Sequence, residues 1–186
     1  MIVLVLGLGL FFLIHLLPNF TTLRRYLVGR FGETQYKIGF SAISLIAFGL
    51  IVIGMRDAEY AQVWLPPVWL HLFVLPLLFV GFFFFASCFV PSNMPRLVRH
   101  PMSIGVLFFC TAHLLVNDDR ASITLFSSFF VFTVLHIYLA NQRGVPRSTR
   151  RYPFRFETMP VAIGGILLMM SFLLHSQLIG VPPGIH

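Results

Sequence analysis

The stretch from Val68 to Val90, "VWLHLFVLPLLFVGFFFFASCFV", contains no Asp, Glu, Lys or Arg. About 20 such apolar residues in an α-helix cross the hydrocarbon core of a bilayer, which is about 30 Å thick. The whole chain of 186 residues has this character, because 58% of it is hydrophobic, 10% is charged and the mean hydropathy is +0.88. The sequence therefore predicts an all-α membrane protein rather than a soluble globular domain.

Working outward from this stretch, five further segments are apolar enough to cross or nearly cross the bilayer. The six predicted spans are residues 2–23, 38–55, 68–90, 102–117, 121–140 and 160–180. The first span has no basic residue before it and no obvious small-residue cleavage site, so we expect a retained helix rather than a signal peptide. The predicted fold is a polytopic six-transmembrane-helix bundle forming one domain over residues 1–186.

Basic residues alternate between the gaps that separate these spans. Eleven of the thirteen Lys and Arg follow the first, third and fifth spans: Arg24, Arg25, Arg30, Lys37, Arg96, Arg99, Arg143, Arg147, Arg150, Arg151 and Arg155. The other gaps hold Arg56 and Arg120 together with four acidic residues. The positive-inside rule therefore predicts both termini on the outer side. Because the charge reports orientation, the expected partner is the lipid bilayer and not nucleic acid.

Seven histidines stand out in a chain so poor in charge. Polar side chains at membrane depth tend to face the bundle interior or a site. Counting residues along each helix allows His15 to match His136 in depth, and His113 to match His175 or His71. Two imidazoles at matching depth on facing helices suit an iron of haem b held within a bundle. The alternative for each histidine is a hydrogen bond to a carbonyl group of a neighbouring helix.

Cys110 lies three residues before His113, which places both on nearly the same face of one helix. A thiolate there could replace an imidazole as an iron ligand, whereas the alternative is a small buried hydrophobic residue. Other kinds of site lack their residues: the sequence has no His-Glu-x-x-His zinc motif, no Gly-rich phosphate loop and no carboxylate inside an apolar span.

Three sequence blocks carry a family resemblance: "GLGLFFLIHLLP" at residues 7–18, "RHPM" at 99–102 and "CTAHLL" at 110–115. In this order, and with "RRYLVGRFGETQYKIGFSAISL" and "LLVNDDRASITLFSSF" between and after them, they resemble the NnrU family over most of the chain. The resemblance implies a bacterial inner-membrane protein associated with denitrification, in particular with nitrite and nitric oxide reduction. It also implies nitrogen-oxide reductase components as partners.

The NnrU family is in turn similar to 15-cis-zeta-carotene isomerase, a membrane haem b enzyme whose iron changes a ligand on reduction. This similarity implies that His15 and His113 are the metal ligands of a haem b and that Cys110 is the exchanging ligand. Three functions remain open. The chain is a haem-binding accessory or redox component of denitrification, a haem-dependent isomerase of a carotenoid-like, lipid-soluble substrate, or a cofactor-free assembly factor.

The Arg-His-Pro block also looks like the cofactor-binding motif of membrane isoprenylcysteine and phospholipid methyltransferases. The resemblance implies that His100 is a polar anchor at the cytoplasmic interface. The basic segment "RRYPFRFETMP" at residues 150–160 departs from the acidic and aromatic segment of those enzymes, which argues against methyl transfer.

Overall fold

The chain is built from α-helices, and the computed structural model describes the backbone of residues 1–179 and the side chains of residues 1–175. Three short 3-10 turns accompany the helices, at Leu17–Asn19, Val68–Leu70 and Phe154–Glu157. No β-strand occurs within residues 1–179, so the predicted all-α class is confirmed. The helices are α1 (Ile2–Leu16), α2 (Thr21–Phe31), α3 (Glu33–Arg56), α4 (His71–Ala86), α5 (Met94–Leu97), α6 (Pro101–Leu114), α7 (Arg120–Gln142) and α8 (Thr158–Ile179).

Within the described residues, five helical segments are long and apolar enough to cross a membrane: Ile2–Asn19, Glu33–Arg56, Val68–Ala86, Arg120–Gln142 and Phe154–His175. The sixth apolar helix, α6, has 14 residues and spans about 21 Å, which is shorter than the hydrocarbon core. Each predicted span therefore corresponds to an apolar helix, although the count of six full crossings is approximate. Gly180, the last residue of the sixth predicted span, lies outside the described residues.

The first predicted span differs from the structure at its end. We expected it to reach residue 23, but α1 ends at Leu16 and a 3-10 turn containing Pro18 follows. Proline lacks the backbone N–H that an α-helix needs in its interior, which explains the early end. The basic gap after this span also contains a helix that the sequence analysis did not predict, α2, which has no buried residue.

The helices group into two compact units, residues 1–61 and the chain from residue 62 onward. In the first unit α1 packs along α3 through glycines. A Cβ on Gly7 would lie 2.8 Å from the backbone nitrogen of Ile51, and one on Gly54 would overlap the backbone of Leu4. Because neither glycine carries a Cβ, the two backbones approach closely and bury Leu4 and Ile51 between them.

In the second unit α4 packs against both α6 and α8, and α6 packs against α7. Gly81 and Gly105 face each other, since a Cβ on Gly105 would lie 2.7 Å from the carbonyl oxygen of Gly81. On the other side of α4, a Cβ on Gly164 would lie 3.0 Å from the backbone nitrogen of Phe83. Glycine contacts on two sides of α4 thus fix the positions of α6 and α8, which carry His113 and His175.

The single-domain prediction for residues 1–186 stays a prediction. Within the second unit, the segment before α4 is joined to the segment before α7. Val63 donates its backbone N–H to the Asp118 carbonyl oxygen at 2.7 Å, and Trp64 donates Nε1–H to Asn117 at 2.9 Å. Asp119 caps α7 by accepting the Ser122 N–H at 2.9 Å.

Candidate functional site

His15 lies near the end of α1, in the first unit, and its partly buried ring contacts two aromatic side chains. The ring stacks on Phe11 with centroids 3.9 Å apart, and Phe40 from α3 meets it edge-on at 5.2 Å. His15 Nδ1 lies 2.8 Å from the Phe11 carbonyl oxygen. A carbonyl oxygen only accepts, so Nδ1 carries the proton and Nε2 carries the lone pair.

His113 repeats this arrangement near the end of α6, in the second unit. Its Nδ1 lies 2.9 Å from the Phe109 carbonyl oxygen one turn earlier, which again assigns the proton to Nδ1. Phe126 from α7 stacks on the ring with centroids 4.1 Å apart, and the Phe109 ring lies at 4.3 Å. Both histidines thus have a neutral form with the lone pair on Nε2.

This tautomer leaves Nε2 available to bind a metal. Metal-ligating histidines usually donate their second ring N–H to a carbonyl or carboxylate, which fixes the ring and leaves the other nitrogen for the metal. The same bond to the helix's own carbonyl also satisfies an imidazole in apolar surroundings without a metal. His15 and His113 therefore fit both the iron-ligand hypothesis and the packing alternative.

Cys110 is 1% exposed and is a free thiol one turn before His113 on α6. Within residues 1–175, no group of three or more His, Cys, Asp or Glu side chains could hold a metal ion. A haem with two axial imidazoles uses only two side chains, fewer than such a group contains. The geometry therefore leaves the proposed ligand pair, His15 with His113, as a prediction.

The other histidines differ in their surroundings. His175 on α8 is close enough to His113 to interact with it electrostatically, which is the alternative pairing that depth counting allowed. His136 lies beside Phe132 on α7, with ring centroids 6.3 Å apart. His71 is exposed at the start of α4, with Nδ1 3.1 Å from the Val68 carbonyl oxygen.

His100 immediately precedes α6, at the opposite end of that helix from His113. Its Nε2 lies 3.0 Å from Asn141 Oδ1, and Arg99 donates Nη1–H to the same oxygen at 2.9 Å. These side chains border a cavity of about 350 Å³ lined by Val98, Arg99, His100, Ile104, Ile137, Asn141 and Arg147. His100 is recognisable in the sequence as part of the Arg-His-Pro block, whereas Asn141 and Arg147 belong to no motif.

A polar cluster that no sequence motif predicted surrounds Glu157. Its carboxylate accepts the backbone N–H of Asn93 at 2.6 Å and the Ser92 hydroxyl at 2.9 Å. The Asn93 side chain accepts the Tyr152 N–H at 3.0 Å and donates to the Tyr152 carbonyl oxygen at 2.9 Å. These hydrogen bonds join the segment before α5 to the segment before α8, and both Glu157 carboxylate oxygens accept hydrogen bonds within the cluster.

Comparison with known proteins agrees with the fold and the sequence blocks. Residues 3–183 match the family model described as NnrU protein, which is nearly the whole chain. No curated protein and no solved structure matches this chain. This helical chain has several apolar segments long enough to cross a membrane, and the family model covers almost its full length. The chain therefore belongs to the NnrU family.

Proposed function

We propose that this NnrU-family chain binds haem b in the membrane and supports nitrogen-oxide respiration as an accessory or redox component. The observation that carries the proposal is the matching state of His15 and His113. Each donates Nδ1–H to a carbonyl oxygen of its own helix and keeps the Nε2 lone pair for iron. His15 and His113 are the residues that would bind the haem iron, as the family resemblance implies.

The aromatic surroundings of both histidines suit a porphyrin. Phe11 and Phe40 surround His15, and Phe109 and Phe126 surround His113, so apolar rings border each proposed ligand. Aromatic and aliphatic side chains are the usual lining of a cofactor site. When bound, haem b supplies a reversible one-electron iron couple.

Cys110 is the proposed replacement ligand when the redox state changes. It lies one turn from His113, so both side chains project from nearly the same face of α6. Cys110→Ala is therefore expected to leave the ferric absorption spectrum intact and to alter the spectrum of the reduced protein. An unchanged reduced spectrum would remove this role from Cys110.

The proposed location is the bacterial inner membrane, with both termini on the periplasmic side. The support is the distribution of eleven basic residues on one side and two on the other, which sets orientation through short loops. Reporter fusions after Arg30 and after Arg151 should report the cytoplasm, and a fusion after Glu59 should report the periplasm. The reverse pattern would contradict the orientation.

A histidine series tests the haem. The protein is expressed with a haem precursor, purified in detergent and assayed by pyridine haemochrome, which measures haem per polypeptide. His15→Ala and His113→Ala should lose haem or become high-spin, whereas the control variants His71→Ala and His136→Ala should keep the wild-type spectrum. If His113→Ala and His175→Ala lose haem while His15→Ala retains it, the ligand pair is His113 with His175 instead of His15 with His113.

The respiratory role needs a separate test in cells. In a denitrifying bacterium from which its own NnrU-family gene is deleted, this chain should restore the rates of nitrite and nitric oxide consumption. The His113→Ala variant, at equal membrane abundance, should restore them less. Equal restoration by the wild type and this variant would separate the respiratory role from haem, and no restoration by the wild type would contradict the role itself.

A further inference from the structure

The cavity at the start of α6 has a one-sided charge. Its polar lining consists of the Arg99 and Arg147 guanidinium groups, the His100 imidazole and the Asn141 amide. Within the described part of the chain no carboxylate lines it. Two cations that share a cavity without a counter-charge attract an anion.

The carboxylate expected to neutralise this charge is engaged elsewhere. Residues 91–100 and 143–157 contain a single acidic residue, Glu157. Its two oxygens accept hydrogen bonds from Ser92 and Asn93. The one carboxylate of these two segments is thus held in a structural cluster and does not line the cavity.

Asn141 orients the donors without cancelling their charge. Its Oδ1 accepts from Arg99 Nη1, and its distance to His100 Nε2 fits a second hydrogen bond. A neutral amide oxygen holds a guanidinium group in place while its remaining N–H groups stay available to a ligand. An aspartate in this position would have accepted the same hydrogen bonds and cancelled one of the two positive charges.

The start of α6 adds a further favourable contribution. His100 immediately precedes this 14-residue helix, whose first backbone N–H groups and dipole favour negative charge at that end. Val98, Ile104 and Ile137 form the apolar part of the lining. The cavity volume of about 350 Å³ falls in the usual range for a small-molecule site, about 300–1,000 Å³.

From this arrangement we propose that the cavity bordered by Arg99, His100, Asn141 and Arg147 binds a phosphate group, supplied by an anionic lipid headgroup or by a soluble phosphate. Arg99 and Arg147 bind the phosphate oxygens, because guanidinium groups match their geometry with paired N–H donors. The apolar lining contacts the organic part next to the phosphate. This site is separate from the proposed haem ligands and does not depend on them.

Thermal unfolding in the presence of two probes tests the site and identifies the source of the phosphate. The full chain is held in an uncharged detergent. It is titrated with sodium phosphate against sodium chloride at equal ionic strength, and separately with phosphatidylglycerol against phosphatidylcholine. A ligand that binds only the folded protein raises the unfolding temperature in a saturable way. A rise with phosphate identifies a soluble ligand, and a rise with phosphatidylglycerol alone identifies a lipid headgroup.

Three variants separate a specific site from general basic charge. Arg99→Gln should lower the apparent affinity at least tenfold. Asn141→Asp, which keeps the side-chain shape and adds a carboxylate, should abolish the rise. Arg150→Gln removes an equal charge from the exposed basic segment outside the cavity and should respond like the wild type. No rise with either probe, or an equal loss in Arg150→Gln and Arg99→Gln, would overturn the proposal.

Discussion

His100 and His113 lie at opposite ends of one helix, α6, and their surroundings are opposite in kind. His113 donates to a carbonyl oxygen of its own helix and stacks on Phe126. His100 shares the Asn141 oxygen with Arg99 and borders a cavity that contains a second guanidinium group. The first environment favours a neutral imidazole that can bind iron, and the second is suited to an anion.

The comparison teaches that the partner of a histidine, rather than its depth, indicates its chemistry. A carbonyl partner at Nδ1 leaves a lone pair on Nε2, whereas a site lined with cations leaves donors for a ligand oxygen. The two sites both use α6 and α7, but they have no residue in common. They should therefore respond independently to substitution.

The largest expected effect is on haem content. His113→Ala should lose most of the bound haem because it removes a proposed axial nitrogen. His100→Ala should retain the wild-type haem spectrum because its imidazole faces Asn141. The measurement is the pyridine haemochrome absorbance of both variants, purified side by side. Equal haem loss in the two variants would show that the ends of α6 are not independent.

A smaller effect is expected where α6 meets α4, between the two histidines. A Cβ on Gly105 would lie 2.7 Å from the Gly81 carbonyl oxygen, so Gly105→Ala should cost about 1–3 kcal/mol by overpacking. The matched control is Gly165→Ala, whose Cβ would meet Phe79 at an ordinary 4.0 Å. Thermal unfolding in detergent should show a lower unfolding temperature for Gly105→Ala alone. Similar temperatures for both variants would contradict the close packing.

The polar cluster around Glu157 should contribute about 1–2 kcal/mol to the free energy of unfolding. Asn93→Ala removes side-chain hydrogen bonds to Tyr152 and Glu157 and leaves partly buried polar groups without them. The unfolding temperature should fall while the haem spectrum stays unchanged, and Thr149→Ala at an exposed position serves as control. A changed haem spectrum in Asn93→Ala would show that the polar cluster and the proposed haem site are coupled.

The smallest effect is expected at the opposite end of the second unit. Asp119 caps α7 by accepting the Ser122 N–H, and loss of such a cap costs about 1 kcal/mol. Asp119→Ala should therefore lower the unfolding temperature slightly, and Glu59→Ala, at an exposed position, should not. An unfolding temperature equal to the wild-type value would show that the cap is dispensable.

The apolar segments and their order could be predicted from the sequence because hydrocarbon thickness imposes a minimum length on each helix. The end of α1 at Leu16 and the presence of α2 could not be predicted so well. Pro18 is the sequence feature that explains the early end of the first helix. The segment that forms α2 is polar enough to resemble a loop in the sequence. The family was recognisable because three histidine-containing blocks occur in a fixed order, and residues 3–183 match it.

The residues of the candidate sites also fall into those that the sequence indicates and those that only the structure brings together. The histidines stood out because polar residues are rare in apolar segments, and the family similarity then selected His15, His113 and Cys110 as the predicted ligands. Asn141 and Arg147 were not, because one ends an apolar helix and the other is one of several arginines in a basic segment. Only the packing of α6 against α7 brings Asn141 to His100, and this depends on tertiary contacts between residues 41 positions apart.

One optical spectrum tests the central claim most directly. The purified ferric protein should contain haem b and show a low-spin spectrum with two imidazole ligands, because two strong nitrogen ligands exclude water from the iron. His113→Ala, measured at equal protein concentration, should be high-spin or free of haem. A wild-type protein inserted in the membrane at normal abundance, grown with ample haem and purified without any haem absorbance, would contradict the claim.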